Sequence, residues 1–238
     1  TMVLITIDPK QPYVGMLSLP RDLYVDVPGY GMQRINAANV LGELEAPGGG
    51  MTLAERTVEG TFGLQVTRVV RLNFGGFIEI VDAAGGVTID VPEYFVDYEY
   101  PTADYGTMVV EFQPGRQHMS GEQALQYARI RHGSSDFARA TRQQQVITGL
   151  ADQMLWPGNW FRAPQVVSAI LRNTESNLTP IDLVLAAPTL LWVQATSGID
   201  QRVLNSDYVE GVTTAGGASV LAPRWDQVNP LIEDMFLR

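Results

Sequence analysis

The segment SGEQALQYARIRHGSSDFARATRQQQ (residues 120–145) predicts two helices separated by a short break. Ser120 and Gln123 have the spacing of a capping box, which predicts where the first helix begins. The run HGSS at residues 132–135 interrupts that helix. The segment also concentrates positive charge in a chain of net charge -10. Four guanidinium groups lie within fourteen residues: Arg129, Arg131, Arg139 and Arg142.

The second helix is expected to begin at Asp136, which can cap it, and to continue to Leu155 before a proline. At 100° per residue, its apolar stripe comprises Ala140, Val146, Ile147, Leu150, Ala151 and Met154. Arg139 and Gln143 fall on or beside this stripe, and Arg142 lies at its edge. The opposite face is predicted to hold Thr141, Gln144, Gln145, Thr148 and Asp152.

At least one arginine of the second helix is therefore predicted to point inward. A buried guanidinium costs several kcal/mol unless it is paired. Salt bridges from Asp136 and other acids are one way to satisfy it. A pocket for phosphate or pyrophosphate is the other, because a guanidinium binds two oxygens at once and the first turn of a helix favours an anion. The local pattern leaves both readings open.

Composition limits the classes of protein to which this chain can belong. It has 238 residues, of which 45% are hydrophobic and 18% are charged, enough to bury a substantial core. The acidic balance argues against nonspecific nucleic-acid binding and against a polybasic membrane patch. The absence of cysteine excludes disulfides, thiol catalysis and zinc-thiolate sites. His118 and His132, the two histidines, lack metal-ligand spacing. No metal ligand is assigned within the chain.

Strand and helix patterns alternate along the chain, which predicts an α/β fold. We expect one domain over residues 1–238, with three α/β/α layers around a mixed, mostly buried sheet. The glycine run at 48–50 matches no nucleotide-binding motif and is predicted to be a linker. An aromatic hairpin packed as a flap is predicted between residues 93 and 113 from Tyr94, Phe95, Tyr98, Tyr100 and Tyr105. Arg21 and Asp22 follow a buried strand and, taken alone, predict an exposed ion pair.

Four blocks of sequence span nearly the whole chain: LSLPRDLYVDVPGYGMQRINAANVLG (17–42), NFGGFIEIVDAAGGVTIDV (73–91), MSGEQALQYARIRHGSSDFARATRQQQVI (119–147) and GASVLAPRWDQVNPLIEDMF (217–236). They resemble the LytR-CpsA-Psr enzymes and occur in the order found in that family. The first block matches the family's pattern S-[IL]-P-R-D, V-x-[IV]-P-G and [KR]-I-N-A-A. Because the blocks cover so much of the chain, the resemblance is specific.

The resemblance implies an enzyme that transfers a glycopolymer from a polyprenyl-pyrophosphate carrier to peptidoglycan. Its catalytic residues would be Arg21, Arg129, Arg131, Asp136 and Arg139. The four arginines of that set would bind the pyrophosphate, with further contacts from Arg142 and Gln143. Asp136 would orient arginines or assist proton transfer.

The resemblance also implies magnesium as cofactor and a location on the outer face of the bacterial cell membrane, reached through an N-terminal anchor. The family's two magnesium-binding aspartates are expected upstream of Thr1, together with a first strand. A chain without those aspartates is expected to be weak in metal-dependent transfer.

Two other functions remain compatible with these motifs. One is a module that binds polyprenyl (pyro)phosphates without transferring them. The other is a pyrophosphatase that uses water as the acceptor.

Overall fold

The structure of the chain, a computed structural model, describes residues 1–102, 104–130 and 136–237. These residues group into two compact units. Unit 1 comprises Thr1–Val69 and the described residues from Gly198 onward, and unit 2 comprises the described residues of Val70–Ser197. Helices and strands are mixed along the described chain, which confirms the α/β class. The single-domain assignment stays a prediction.

The helices within the described residues are α1 (Ala37–Glu45), α2 (Gly49–Phe62), α3 (Phe74–Ala83), α4 (Gly121–Arg129), α5 (Asp136–Leu155), α6 (Ala163–Asn173), α7 (Pro180–Thr196) and α8 (Trp225–Phe236). A 3-10 helix, Pro157–Arg162, precedes α6. The strands are β1 (Met2–Asp8), β2 (Tyr13–Leu19), β3 (Tyr24–Val27), β4 (Gly31–Arg34), β5 (Val70–Leu72), β6 (Val87–Val91), β7 (Phe95–Pro101), β8 (Thr107–Phe112), β9 (Gly115–Met119), β10 (Thr174–Ser176), β11 (Asp200–Val203), β12 (Val209–Thr213) and β13 (Ser219–Pro223).

Unit 1 contains the mixed sheet that the sequence predicts, in the order β1-β2-β11. β1 pairs antiparallel with β2, and β11 pairs with it in parallel. β2 is buried along nearly its whole length, because its side chains are apolar on both faces. This strand ends at Leu19, so the chain turns directly into the segment that carries Arg21.

The glycine run predicted as a linker is instead the start of a helix. Gly49 and Gly50 form the first turn of α2, and Gly48 precedes them with a φ of 81°. A Cβ atom on Gly42 of α1 would collide with the carbonyl oxygen of Gly49. The glycines therefore allow the two helices to approach closely, which pattern reading along one segment cannot detect.

Unit 2 is built around a hydrophobic cluster that joins two antiparallel strand pairs to α4 and α5. The pairs are β6-β9 and the hairpin β7-β8. The predicted aromatic hairpin is present, and Tyr100 and Phe112 are buried within this cluster. Tyr94, Tyr98 and Tyr105 are exposed. Only some of the hairpin's aromatic side chains therefore pack into the hydrophobic cluster.

Candidate functional site

The end of α4 and the beginning of α5 are joined by side-chain hydrogen bonds to backbone carbonyls. Arg142 Nε donates to the carbonyl of Tyr127 at 3.1 Å, and Arg142 Nη2 donates to that of Ile130 at 2.5 Å. Gln143 Nε2 donates to the carbonyl of Ala128 at 3.3 Å. The last carbonyls of a helix lack intrahelical partners. Arg142 and Gln143 therefore cap the C terminus of α4.

Arg142 is the most deeply buried of the described arginines at this junction, with 3% of its surface exposed. Its guanidinium carbon lies 5.1 Å from the centre of the Phe95 ring. Burial lowers the pKa of Arg142, because desolvation penalises its charged form. The sequence placed this residue only at the edge of the buried face. It also placed Gln144 on the outward face, which is wrong, because Gln144 is buried.

Arg139 lies in the first turn of α5 and forms an ion pair within the same helix. Its Nη2 atom is 3.0 Å from Oδ1 of Asp136, at a spacing of three residues. The side chain of Arg139 is 15% exposed and that of Asp136 is 39% exposed. The inward orientation predicted for Arg139 is confirmed. The salt bridge expected from Asp136 is also present, so this acid orients the guanidinium.

Arg129, in the last turn of α4, lies against two aromatic rings. Its guanidinium carbon is 4.2 Å from the centre of the Phe74 ring and 5.3 Å from that of Tyr100. Nη1 donates to the Tyr100 hydroxyl at 3.2 Å. Within the described residues, no carboxylate forms an ion pair with Arg129. Asn73 helps to position Phe74, because its Oδ1 atom accepts a hydrogen bond from Gly76 N and caps α3.

Arg21 lies in unit 1, where it forms the ion pair that its sequence context predicts. Its Nε atom is 3.4 Å from Oδ2 of Asp22, and Arg34 Nε is 3.4 Å from Oδ1 of the same carboxylate. Arg34 also donates to the carbonyl of Ser219 at 2.8 Å. Arg34 belongs to the β3-β4 hairpin, which the sequence patterns did not reveal.

The structure thus brings five predicted site residues together in unit 2 and places Arg21 in unit 1. Arg131 and His132 lie outside the described residues. The side chains that sequence reasoning missed are Phe74 and Tyr100, the aromatic partners of Arg129. Tyr100 is 29 residues from Arg129 along the chain, and no local spacing connects the two.

The described residues offer no group of three or more acids and histidines that could hold a metal ion. Among the described helices, none combines the length and the apolarity that a membrane crossing requires.

Tyr127 is expected to make the free energy of unfolding depend on pH in the alkaline range. Its hydroxyl donates to Oε1 of Gln145 at 2.8 Å, and burial raises the pKa of Tyr127 to about 12. The unfolded tyrosine ionises near pH 10. The unfolded state therefore binds fewer protons above that pH, and the contribution of Tyr127 to stability falls as pH rises from 10 towards 12.

Denaturant unfolding of the wild type and of Tyr127→Phe between pH 8 and 11 tests this expectation. Loss of the hydroxyl should cost about 1 kcal/mol at pH 8. The difference in unfolding free energy should then shrink above pH 10. A constant difference over the whole range would contradict the raised pKa.

The sequence matches the LytR_cpsA_psr family over residues 1–231. It is 34% identical over 180 residues to the polyisoprenyl-teichoic acid–peptidoglycan teichoic acid transferase TagU of Oceanobacillus iheyensis, covering 75% of this chain and 53% of that protein. It is 29% identical over 197 residues to the corresponding transferase TagT of Bacillus subtilis, covering 83% of this chain and 58% of that protein. The chain spans about half the length of the curated relatives it matches.

Solved structures share the fold. The crystal structure of TagV from Bacillus subtilis aligns with a TM-score of 0.78 at 24% identity, covering 98% of this chain and 87% of that one. The structure of TagT bound to LI-WTA aligns with a TM-score of 0.75 at 25% identity, covering 99% of this chain and 84% of that one.

Proposed function

Because this chain belongs to the LytR_cpsA_psr family, we propose that it transfers a glycopolymer from a polyprenyl-pyrophosphate carrier to peptidoglycan. The relatives named as teichoic acid transferases support this reaction class. In such a transfer, an acceptor hydroxyl attacks the phosphorus that carries the glycan. The pyrophosphate P–O bond breaks, the prenyl phosphate leaves with the bonding electron pair, and the proton of the acceptor hydroxyl is released to solvent.

The observation that carries this proposal is the environment of Arg129. Its charge rests against the rings of Phe74 and Tyr100 and is not neutralised by a carboxylate of the described chain. Phe74 is exposed, so solvent reaches one side of the cluster. Aromatic rings contact the flat face of a guanidinium and orient it. N–H groups at its edge can still donate to phosphate oxygens. Arg129 is therefore suited to bind the pyrophosphate.

Arg139 would supply a second positive charge at the same helix junction. Asp136 holds its guanidinium at 3.0 Å, which limits the side-chain freedom that would be lost on binding an anion. Fixed positive groups stabilise the charge that develops on a leaving phosphate. For Arg21 in unit 1, and for Arg131, which lies outside the described residues, pyrophosphate binding stays a prediction from the family motifs. Arg142 and Gln143 support the site by capping α4.

The cellular setting belongs to the same proposal. We assign the protein to the outer face of the bacterial cell membrane, attached through an N-terminal anchor, and we assign magnesium as its cofactor. The LytR-CpsA-Psr sequence motifs support these assignments. The role proposed for this chain's own residues is the binding of the pyrophosphate by arginines.

Thermal unfolding with farnesyl pyrophosphate, at fixed salt, tests the anion site. A ligand at a hundredfold excess over its dissociation constant stabilises the native state by about 2.7 kcal/mol. For a chain of this size, that corresponds to a rise of roughly 5–10 °C in the melting temperature. We expect this rise in the wild type and its loss in Arg139→Ala.

Arg172→Ala is the matched control, because Arg172 is an exposed arginine of the same unit on α6. It should retain the full stabilisation by ligand. A rise that survives in Arg139→Ala, or that is absent from the wild type, would contradict the proposed site. Release of phosphate without an acceptor would instead identify a pyrophosphatase.

A further inference from the structure

Helix α7 exposes an apolar stripe that extends over most of its length. The members of this α7 stripe recur on one face at helical spacing: Ile181, Val184, Leu185, Leu191 and Trp192. The opposite side of the helix packs into unit 2 through the buried Thr189 and Val193. A helix that is apolar all round is normally buried on all sides. Here one apolar side remains in contact with solvent.

We propose that the α7 stripe docks on the surface of a lipid bilayer, with its side chains inserted at the level of the headgroups. Trp192 lies in the C-terminal half of the helix, and tryptophan favours the boundary between headgroups and acyl chains. Pro188 lacks the backbone donor that the carbonyl of Val184 would use. That polar carbonyl favours a position at the interface over the dry hydrocarbon core.

The distribution of charge around α7 fits a lipid surface. Although the chain has a net charge of -10, residues 156–196 contain two arginines and two acids. Both acids are bonded within the chain. Glu175 pairs with Arg71, and Asp182 accepts hydrogen bonds from Thr179 in the capping box of α7. This segment therefore carries no net negative charge that would repel anionic headgroups.

The area of the stripe argues against a second copy of the chain as its partner. Seventeen residues make a helix about 25 Å long, and one face about 10 Å wide gives roughly 250 Å². A stable protein interface needs about 800 Å² on each partner. A bilayer has no such minimum, because each inserted apolar side chain contributes independently. The docking does not depend on the proposed transfer reaction.

Co-sedimentation with vesicles of phosphatidylcholine and phosphatidylglycerol in equal parts tests the proposal. The test variant is Val184→Gln combined with Leu185→Gln, because these side chains are 71% and 69% exposed. Glutamine preserves helix propensity. The matched control is Val40→Gln combined with Leu44→Gln on α1, where the side chains are 60% and 78% exposed at the same kind of helical surface.

We expect the wild type and the α1 variant to bind the vesicles equally. The α7 variant should partition about tenfold to a hundredfold more weakly, because two exposed apolar side chains no longer enter the lipid. Absence of binding by the wild type, or equal loss in both variants, would overturn the proposal. So would a dimer in solution that only the α7 variant disperses, since the occupant would then be a second copy.

The position of Trp192 provides a second readout. In a variant with Trp156, Trp160 and Trp225 replaced by phenylalanine, Trp192 is the remaining indole. Lipids brominated near the headgroup end of the chain should quench its fluorescence, and unquenched emission would overturn the docking. Farnesyl pyrophosphate should stabilise the α7 variant as it does the wild type. Loss of vesicle binding alone therefore leaves the proposed transferase site unaffected.

Discussion

Arg129→Ala is expected to raise the dissociation constant for farnesyl pyrophosphate by roughly 10-fold to 100-fold. A hydrogen bond to a charged group contributes about 1.5–3 kcal/mol, and each 1.4 kcal/mol is tenfold in affinity. Arg129 lies against Phe74 and Tyr100 with no carboxylate partner in the described chain. Its positive charge would therefore be available to the ligand without first breaking an ion pair. Isothermal titration at fixed salt measures the change.

The Arg129→Lys variant separates charge from geometry. Lysine keeps the positive charge but lacks the planar fork that binds two oxygens and stacks on aromatic rings. We expect an affinity between those of the wild type and Arg129→Ala. Arg172→Ala, an exposed change on α6, should leave the affinity unchanged. Equal affinities for wild type and Arg129→Ala would show that this guanidinium packs against aromatic rings without binding the anion.

Arg142→Met should lower the free energy of unfolding by about 2–5 kcal/mol. The variant loses the donors to the carbonyls of Tyr127 and Ile130. Each buried polar group left without a partner costs about 1–3 kcal/mol. Methionine fills much of the same volume, so the loss reports the hydrogen bonds rather than a cavity. Denaturant unfolding at pH 7 measures this change.

Arg139→Met provides the control one turn earlier in α5. Its ion pair with Asp136 is partly solvated and should contribute at most about 1 kcal/mol. A loss for Arg142→Met no larger than that for Arg139→Met would contradict the capping role of Arg142. If Arg142→Met instead remains fully stable but no longer binds farnesyl pyrophosphate, Arg142 contacts the ligand directly.

Local spacing along the chain was sufficient to identify the main helices at the site. Ser120 and Gln123 form the predicted capping box, and Asp136 begins α5 as expected. The ion pair between Asp136 and Arg139 also follows from their spacing of three residues. These features depend on neighbours in the sequence, so residue type and separation are enough to predict them.

The short β3-β4 hairpin was not predicted from the sequence. β3 and β4 have four residues each, and every residue of β4 is exposed. A strand of that length offers too few apolar alternations to distinguish it from a turn. Their pairing nevertheless positions Arg34 beside Asp22, which modifies the environment of Arg21.

The sequence by itself determined the α/β class, the family motifs and the concentration of arginines at the α4–α5 junction. Only the tertiary structure decided what each arginine contacts. Arg142 caps α4 while Arg129 lies between aromatic rings. Helical periodicity assigns a side chain to a face, but it does not identify the group that faces it. That group comes from a distant part of the chain, and packing in three dimensions brings it there.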